Sequence, residues 1–306
     1  MGTKGSGDIV LNSDCEYLNR VLRCELTAIN QQFIHVLALR DWGYAETAER
    51  IMEVDYVDFP NAMRIIDYLV QSRLPVLLAS ECPTPGSTYQ AILLSEKALE
   101  QRLFATIEEA VCTDDRPRAL ISAARAPRKA YAAWLTAQLD GPGFDETSGD
   151  DPFPESIGVF AHLIATIEQA MVHAFVHWYE GEVEIADAAW ATSGAAMMQA
   201  TEFVHLYAAH RTLPLPHKMP ALRIASRSTD GVGFDRQLAD SCAREAAEAA
   251  DACNDMAIAD LCRKIARYSL QLSGWKTGQA HPAADDNPAG FGSFEEALRK
   301  FVQVAG

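Results

Sequence analysis

The stretch SDCEYLNRVLRCELTAINQQFIHVLALRDWGY, residues 13–44, decides the fold of this chain. Its apolar side chains recur every three or four residues, which is the spacing of one face of an α-helix. Ser13 or Asp14 can cap such a helix at its start, and Gly43 is suited to end it near Trp42. The stretch therefore predicts one long amphipathic helix.

The same helical spacing continues through most of the 306 residues, and runs with the alternating pattern of β-strands are missing. Further long helices are predicted over 46–72, 88–112, 114–140, 156–179, 183–211, 234–253 and 255–272. Each half thus has two long helices, a long proline-containing crossover and two more helices. That order is the wiring of a ferritin-like four-helix bundle. The predicted fold class is all-α, with two ferritin-like four-helix bundles in tandem.

A break in composition separates the two halves. Residues 141–155 read GPGFDETSGDDPFPE, a segment rich in Gly, Pro and acidic side chains that is typical of a linker. We therefore predict a first bundle over 1–140, this linker, and a second, more diverged bundle over 156–275. The tail, 276–306, is predicted to be loose, apart from a short helix around 294–301.

Composition narrows the classes of partner. The net charge of −16 argues against nucleic acid and anionic membranes, which both need a basic patch. No apolar stretch is expected to reach the roughly 20 residues of a membrane span, and the polar start of the chain does not read as a signal peptide. The seven cysteines include no C-x-x-C pair and are predicted to be reduced. These features predict a cytoplasmic protein.

The first helix resembles the first helix of the bacterioferritins through Leu18–Leu22, Glu25–Gln31, Phe33, His35 and Asp41–Tyr44. The resemblance continues more weakly through 62–75, 94–103 and 134–139, so that it covers about residues 11–140. The second half resembles the family only in wiring and in a few residues. The family implies a di-iron site with a Glu on the first and third helices and Glu-x-x-His on the second and fourth.

Carried over position by position, the family's ligands fall on six residues: Glu25, Asp58, Asn61, Glu96, Arg128 and Tyr131. Two carboxylates are kept, a third is shortened to Asp, and both histidines are replaced. The haem-binding Met of the family falls on Phe59, so no haem is expected.

Arg128 leaves two interpretations of this site open, because a guanidinium cannot ligate a metal ion. In one, Glu25, Asp58 and Glu96 are relics of a metal site, and Arg128 pairs with Glu25 or Glu96 in a buried network beside Tyr131. In the other, the carboxylates still bind iron. Pro60 is also predicted to kink the second helix at this level.

A second candidate metal site lies in the second half. Glu202 and His205 form a Glu-x-x-His pair, and Glu202 follows Glu168 by 34 residues, much as Asp58 follows Glu25 by 33. Similar separations across a helical hairpin predict a similar level in each bundle. Glu168, Glu202 and His205 are therefore candidate ligands for iron, manganese or zinc.

The third and fourth helices of the second half do not complete the ligand set of that site. Its third helix offers Asp240 or Glu245 as a further ligand. Its fourth helix has no ligand pair in Cys262–Tyr268, and Lys264 and Arg267 should exclude a metal if they point inward.

Two functions follow as hypotheses. The first is a bacterioferritin-related, iron-binding protein, with a di-iron or mononuclear iron oxidoreductase as its enzymatic form. The alternative is a metal-free structural protein, or one that binds a ligand or a partner through its acidic surface and the cleft between the bundles. The expected partners are a small molecule or iron. A fused pair of bundles can also mimic the family's two-fold dimer within one chain, and a homo-oligomer is a further expectation.

Overall fold

The computed structural model describes residues 13–78, 81–109, 112, 114–123, 125–140, 153–216, 218–276, 279, 281–282 and 292–302. Across these ranges the regular structure is helical without a strand, which confirms the all-α class. The helices are α1 (Ser13–Asp41), α2 (Ala45–Gln71), α3 (Tyr89–Glu109), α4 (Asp115–Ala123), α5 (Arg125–Leu139), α6 (Ile157–Tyr179), α7 (Val183–Ala209), α8 (Ser228–Ala252), α9 (Met256–Gly274) and α10 (Phe294–Phe301).

The helices pack in two rings of four. In the first half α1 contacts α2 and α3, and α5 contacts the same two helices; in the second half α6 and α9 each contact α7 and α8. This packing is the one expected of two four-helix bundles in tandem. The hairpin α1–α2 also packs on α6–α7, and each large apolar core contains residues of both halves. The proposed domain boundaries stay a prediction, and residues 141–152 of the predicted linker lie outside the described ranges.

Two predicted elements differ from the structure. The predicted fourth helix is divided into α4 and α5, and α8 begins at Ser228, because Gly231 and Gly233 continue the helix instead of ending a crossover. The short helix predicted in the tail is confirmed as α10 (Phe294–Phe301), whose Phe294 is fully buried. Ser293 caps α10 with a capping box, which fixes the start of this short helix. Helix α2 is continuous across Pro60.

The two hairpins repeat each other in register. Their second helices, α2 and α7, begin and end at positions 138 residues apart, the separation that also relates Asn30 to Glu168. Two pairs of residues with left-handed backbone share it: Gly43 (φ 90°) with Gly181 (φ 82°), and Arg73 (φ 54°) with Arg211 (φ 56°). Residues at this separation are therefore structural counterparts.

One such pair is in direct contact. Nδ2 of Asn30 on α1 donates to Oε1 of Glu168 on α6 at 2.6 Å, and both side chains are buried. In a two-fold arrangement, residues that touch their own counterparts lie near the axis. The contact thus places a pseudo-two-fold axis between α1 and α6, which supports the expected mimicry of a dimer within one chain.

Helix α6 is unusually apolar. Together with the preceding turn it spans Pro154–Tyr179, with a mean hydropathy of 1.4, and meets the length and apolarity of a membrane span. The expectation that no stretch would do so is wrong for this helix. However, 89% of its most apolar window is buried inside the protein, as in a core helix of a soluble protein.

Candidate functional site

The centre of the first bundle is a buried guanidinium. Arg128 on α5 is completely buried, and its Nη2 lies 2.7 Å from Oε2 of Glu25 and 2.6 Å from Oδ1 of Asp58. Its Nη1 donates to Oε1 of Glu100 at 2.7 Å. The contact with Asp58 has ion-pair distance without hydrogen-bond geometry. Three helices, α1, α2 and α3, therefore each direct one carboxylate at a single cation on α5.

Glu96 is held by a separate set of partners. Tyr131 donates to its Oε2 at 2.8 Å, and Nδ1 of His35 lies 2.5 Å from its Oε1. The other ring nitrogen of His35 accepts the backbone N–H of Gly86 at 3.1 Å, so the proton of a neutral ring is on Nδ1 and is donated to Glu96. The prediction that Arg128 pairs with Glu25 is confirmed, whereas Glu96 bonds to Tyr131 and His35 instead.

Burial raises the pKa values of the carboxyl groups around Arg128, although the guanidinium acts in the opposite direction. Burial raises the pKa of Glu25, against the effect of Arg128, and raises that of Glu100 to about 7. Burial and then the neighbouring Glu25 raise the pKa of Asp58 well above its usual value. Burial disfavours the charged form of Arg128, but the surrounding carboxylates outweigh it and raise its pKa. The guanidinium thus stays charged, while the three carboxylates compete for protons.

These residues do not fit the family's di-iron centre. A permanent cation stands at one ligand position, and Asn61, which donates to Glu25 at 3.2 Å, stands where the family has an imidazole. Tyr131 replaces the second imidazole, and burial followed by Glu96 raises its pKa well above the usual value, so it stays protonated. Within the described residues, no group of three or more His, Cys, Asp and Glu side chains is arranged to hold a metal ion.

The second bundle repeats the supporting contacts of the first. Gln31 and His35 accept backbone N–H groups of the first crossover, at Thr84 and Gly86. Their counterparts on α6 do the same in the second crossover, where Gln169 accepts from Arg223 and His173 from Ala225. Nδ1 of His173 then lies 2.7 Å from Asp235, as that of His35 lies beside Glu96. Asp235 is therefore the counterpart of Glu96.

This register corrects the second candidate site. The counterpart of Glu168 is Asn30, and the counterpart of the ligand position Glu25 is Leu163. The positions of Asp58 and Asn61 correspond to Ala196 and Gln199 on α7. The similar separation of 34 and 33 residues was misleading, because both Glu168 and Glu202 lie more than one turn beyond the ligand positions along their helices.

Glu202 and His205 face solvent instead of the bundle interior. Glu202 lies 3.4 Å from Nζ of the exposed Lys264, and Nδ1 of His205 lies 2.6 Å from Oδ2 of Asp41 on α1. Their side chains are 49% and 47% exposed, whereas Glu168 is buried. The structure thus does not bring the three candidate ligands together.

The other expectations for the second site also change. Asp240 is exposed, and Glu245 packs over Gly158 at the start of α6. Lys264 and Arg267 point outward, and the interior face of α9 carries Ile265 and Tyr268 instead. At this level the second bundle is closed by apolar side chains.

Sequence reasoning missed two residues of the first site. Glu100 lies one helical turn after Glu96, where an Arg-centred network can reach it but the family's ligand pattern does not predict it. The contacts of His35 with Glu96 and Gly86 were not predicted either, and its counterpart in the second half is His173. The repeated Gln-x-x-x-His of Gln31–His35 and Gln169–His173 would have given the register directly.

Known proteins support the resemblance over short segments. A bacterioferritin from Rhodobacter capsulatus is 41% identical over 51 residues, which cover 17% of this chain and 32% of that protein. A bacterioferritin sequence from Nitrobacter winogradskyi is 49% identical over 35 residues, 11% of this chain and 70% of that sequence. This chain is a ferritin-like relative of the bacterioferritins. It spans about a third of the Rhodobacter relative, and no family model and no solved structure matches it.

Proposed function

We propose that this bacterioferritin relative is a metal-free, ligand-binding protein in which Arg128 permanently replaces the metal of the first bundle. The observation that carries the proposal is the contact of one buried guanidinium with Glu25, Asp58 and Glu100. A cation fixed to the chain supplies the charge that these carboxylates need, and it requires no metal from solution.

Iron would have to displace that guanidinium. Breaking a buried ion pair while one partner stays buried costs about 3–5 kcal/mol, which an incoming metal would have to offset. Both imidazole ligands of the family would be missing, since Asn61 and Tyr131 stand at their positions. Iron oxidation and oxygen-dependent chemistry, which the family resemblance suggested, are therefore not part of the proposed function.

Iron content per chain tests the proposal. The protein is produced with iron supplied, and bound iron is measured by plasma mass spectrometry in the parent and in Glu25→Ala and Glu202→Ala. We expect no stoichiometric iron in the parent. Stoichiometric iron that disappears in Glu25→Ala would overturn the proposal by showing a working site at Arg128. Stoichiometric iron that disappears only in Glu202→Ala would also overturn the proposal, by showing a working metal site in the second half.

A reconstruction provides the positive arm. Changing Asn61→His, Arg128→Glu and Tyr131→His together restores both Glu-x-x-His halves apart from the Asp at 58. We expect this variant to gain iron that the parent lacks. Arg50→Glu makes a matched charge change on the surface of α2, where Arg50 pairs with Glu53, and should gain none.

A further inference from the structure

A groove on the surface joins the two halves of the chain. It lies where α2 runs into the first crossover and α6 approaches the second crossover, and its volume is about 680 Å³. Small-molecule sites in proteins typically have volumes of about 300–1,000 Å³. Apolar side chains form much of its lining, among them Val70, Leu74 and Ile224.

The pseudo-two-fold axis explains why this groove is open. At the related place on the other side of the axis, Trp42 packs with 9% exposure, donates from Nε1 to the carbonyl of Ala208 and lies under Arg211. The counterparts of Ala208 and Arg211 are Val70 and Arg73, which line the groove. The counterpart of Trp42 is Glu180. No indole therefore fills the groove, and its apolar surface is left accessible.

Two arginines line the same groove. In the described part of the chain, neither Arg73 nor Arg227 has a carboxylate within ion-pair distance or a hydrogen bond from its guanidinium. The carboxylate of Glu180 is engaged by the backbone N–H of Ser228 at 2.9 Å. Two unpaired guanidiniums in one concave surface stand out in a chain of net charge −16. Guanidinium groups bind carboxylates, phosphates and sulfonates through charge-assisted hydrogen bonds.

Exposed apolar side chains accompany this positive charge. Leu77 and Tyr179 both line the groove and are 44% and 41% exposed. Arg73 has a left-handed backbone, which is rare for a residue other than Gly and fixes where its side chain leaves the chain. A ligand that matches these features has an apolar body and one anionic group.

We infer that the groove binds a small organic anion, whose charged group pairs with Arg73 and Arg227 and whose apolar body packs on Val70, Leu74 and Ile224. The inference deepens the ligand-binding role proposed above by giving its site and ligand class. The groove is formed by other residues than those around Arg128. The iron measurement, which tests the proposed function, and the probe-binding measurement, which tests this inference, can therefore fail independently.

The test uses a matched pair of fluorescent probes. 1-Anilinonaphthalene-8-sulfonate carries an apolar body and one sulfonate, and N-phenyl-1-naphthylamine has the same body without the charge. We expect the parent to bind the sulfonate at one site per chain and more tightly than the neutral probe. Arg73→Gln and Arg227→Gln should each lower the affinity for the sulfonate probe by about tenfold and leave the affinity for the neutral probe unchanged.

Two further variants keep the test specific. Arg211→Gln is the matched control, because Arg211 shares the backbone conformation of Arg73 but lies on the side closed by Trp42; it should bind like the parent. Glu180→Trp puts the indole of the closed side into the groove and should abolish binding of both probes. Thermal unfolding of each variant shows that the fold is kept.

Three outcomes would overturn the inference. The first is a parent that binds no sulfonate probe at a single site. The second is equal affinity of the parent and the double variant Arg73→Gln/Arg227→Gln. The third is an Arg211→Gln variant that loses as much affinity as Arg73→Gln, since the effect would then be general surface charge.

Discussion

Removal of the guanidinium at the centre of the first bundle should be among the most destabilising single changes in this protein. Arg128→Met keeps a long side chain but leaves Glu25, Asp58 and Glu100 buried without a counter-charge. Breaking such a buried pair costs about 3–5 kcal/mol, against a total stability of about 5–15 kcal/mol for a typical protein. We expect a loss of that size at pH 8.

The loss should depend on pH with a definite sign. Without Arg128 the folded-state pKa values of the three carboxyl groups rise further above their unfolded values near 4. A raised pKa in the folded state gives stability that is present below the unfolded pKa and lost as the pH rises through the folded pKa. The difference between parent and Arg128→Met should therefore be smaller at pH 5 than at pH 8.

The assay is urea unfolding at pH 5 and pH 8, with chelator present so that no cation replaces the guanidinium. Arg50→Met is the matched control, because Arg50 forms an exposed pair with Glu53 that should contribute about 0–1 kcal/mol. A loss below about 1 kcal/mol at pH 8, or an equal loss at both pH values, would refute the role given to Arg128.

Two smaller predictions address a half-buried acid and a turn. Burial and then Glu96 raise the pKa of Asp55 to about 7, so the stability that this carboxyl group contributes should be lost as the pH rises from about 4 to 7. In urea unfolding, Asp55→Asn should be more stable than the parent by about 2 kcal/mol at pH 8 but not at pH 4. The control Glu53→Gln, at an exposed position, should stay within about 0.5 kcal/mol of the parent at both pH values. Gly181 has a left-handed backbone and open space around it, so Gly181→Ala should lower the free energy of unfolding by about 1 kcal/mol, measured by thermal unfolding. Gly233→Ala within α8 should not lower it.

The sequence predicts the helices of this fold closely and the first site in its essentials. Helical spacing gave both hairpins to within about two residues of their ends, because long periodic segments leave few alternatives. The predicted pairing of Arg128 with Glu25 is present in the structure, and Asp58 lies in the same network. Glu100 was missed because a network organised around an arginine follows the reach of its guanidinium, which the family's ligand spacing does not encode.

The second candidate site shows that the separation of two residues along a hairpin is weaker evidence for a ligand position than the register between the two halves. Any pair of residues with the same separation satisfies the hairpin test, whether the helix face is inside or outside. Glu202 and His205 satisfy it on the outer face, where charged side chains are common. The register follows instead from several features at one separation: the ends of α2 and α7, the left-handed residues, and the contact of Asn30 with Glu168.

In this register the two halves carry different side chains at the positions of the family's ligands. In the second bundle these positions hold Leu163 and Ala196, which pack in the core and need no counter-charge. In the first bundle two of them hold carboxylates, Glu25 and Asp58, and a buried arginine on α5 pairs with both. An apolar side chain and a paired carboxylate both avoid an uncompensated buried charge. Only the paired carboxylate requires a partner in a strict geometry. Substitutions at Glu25 should therefore be costly where changes at Leu163 to similar apolar residues are tolerated, a contrast that unfolding measurements on Glu25→Ala and Leu163→Met would resolve.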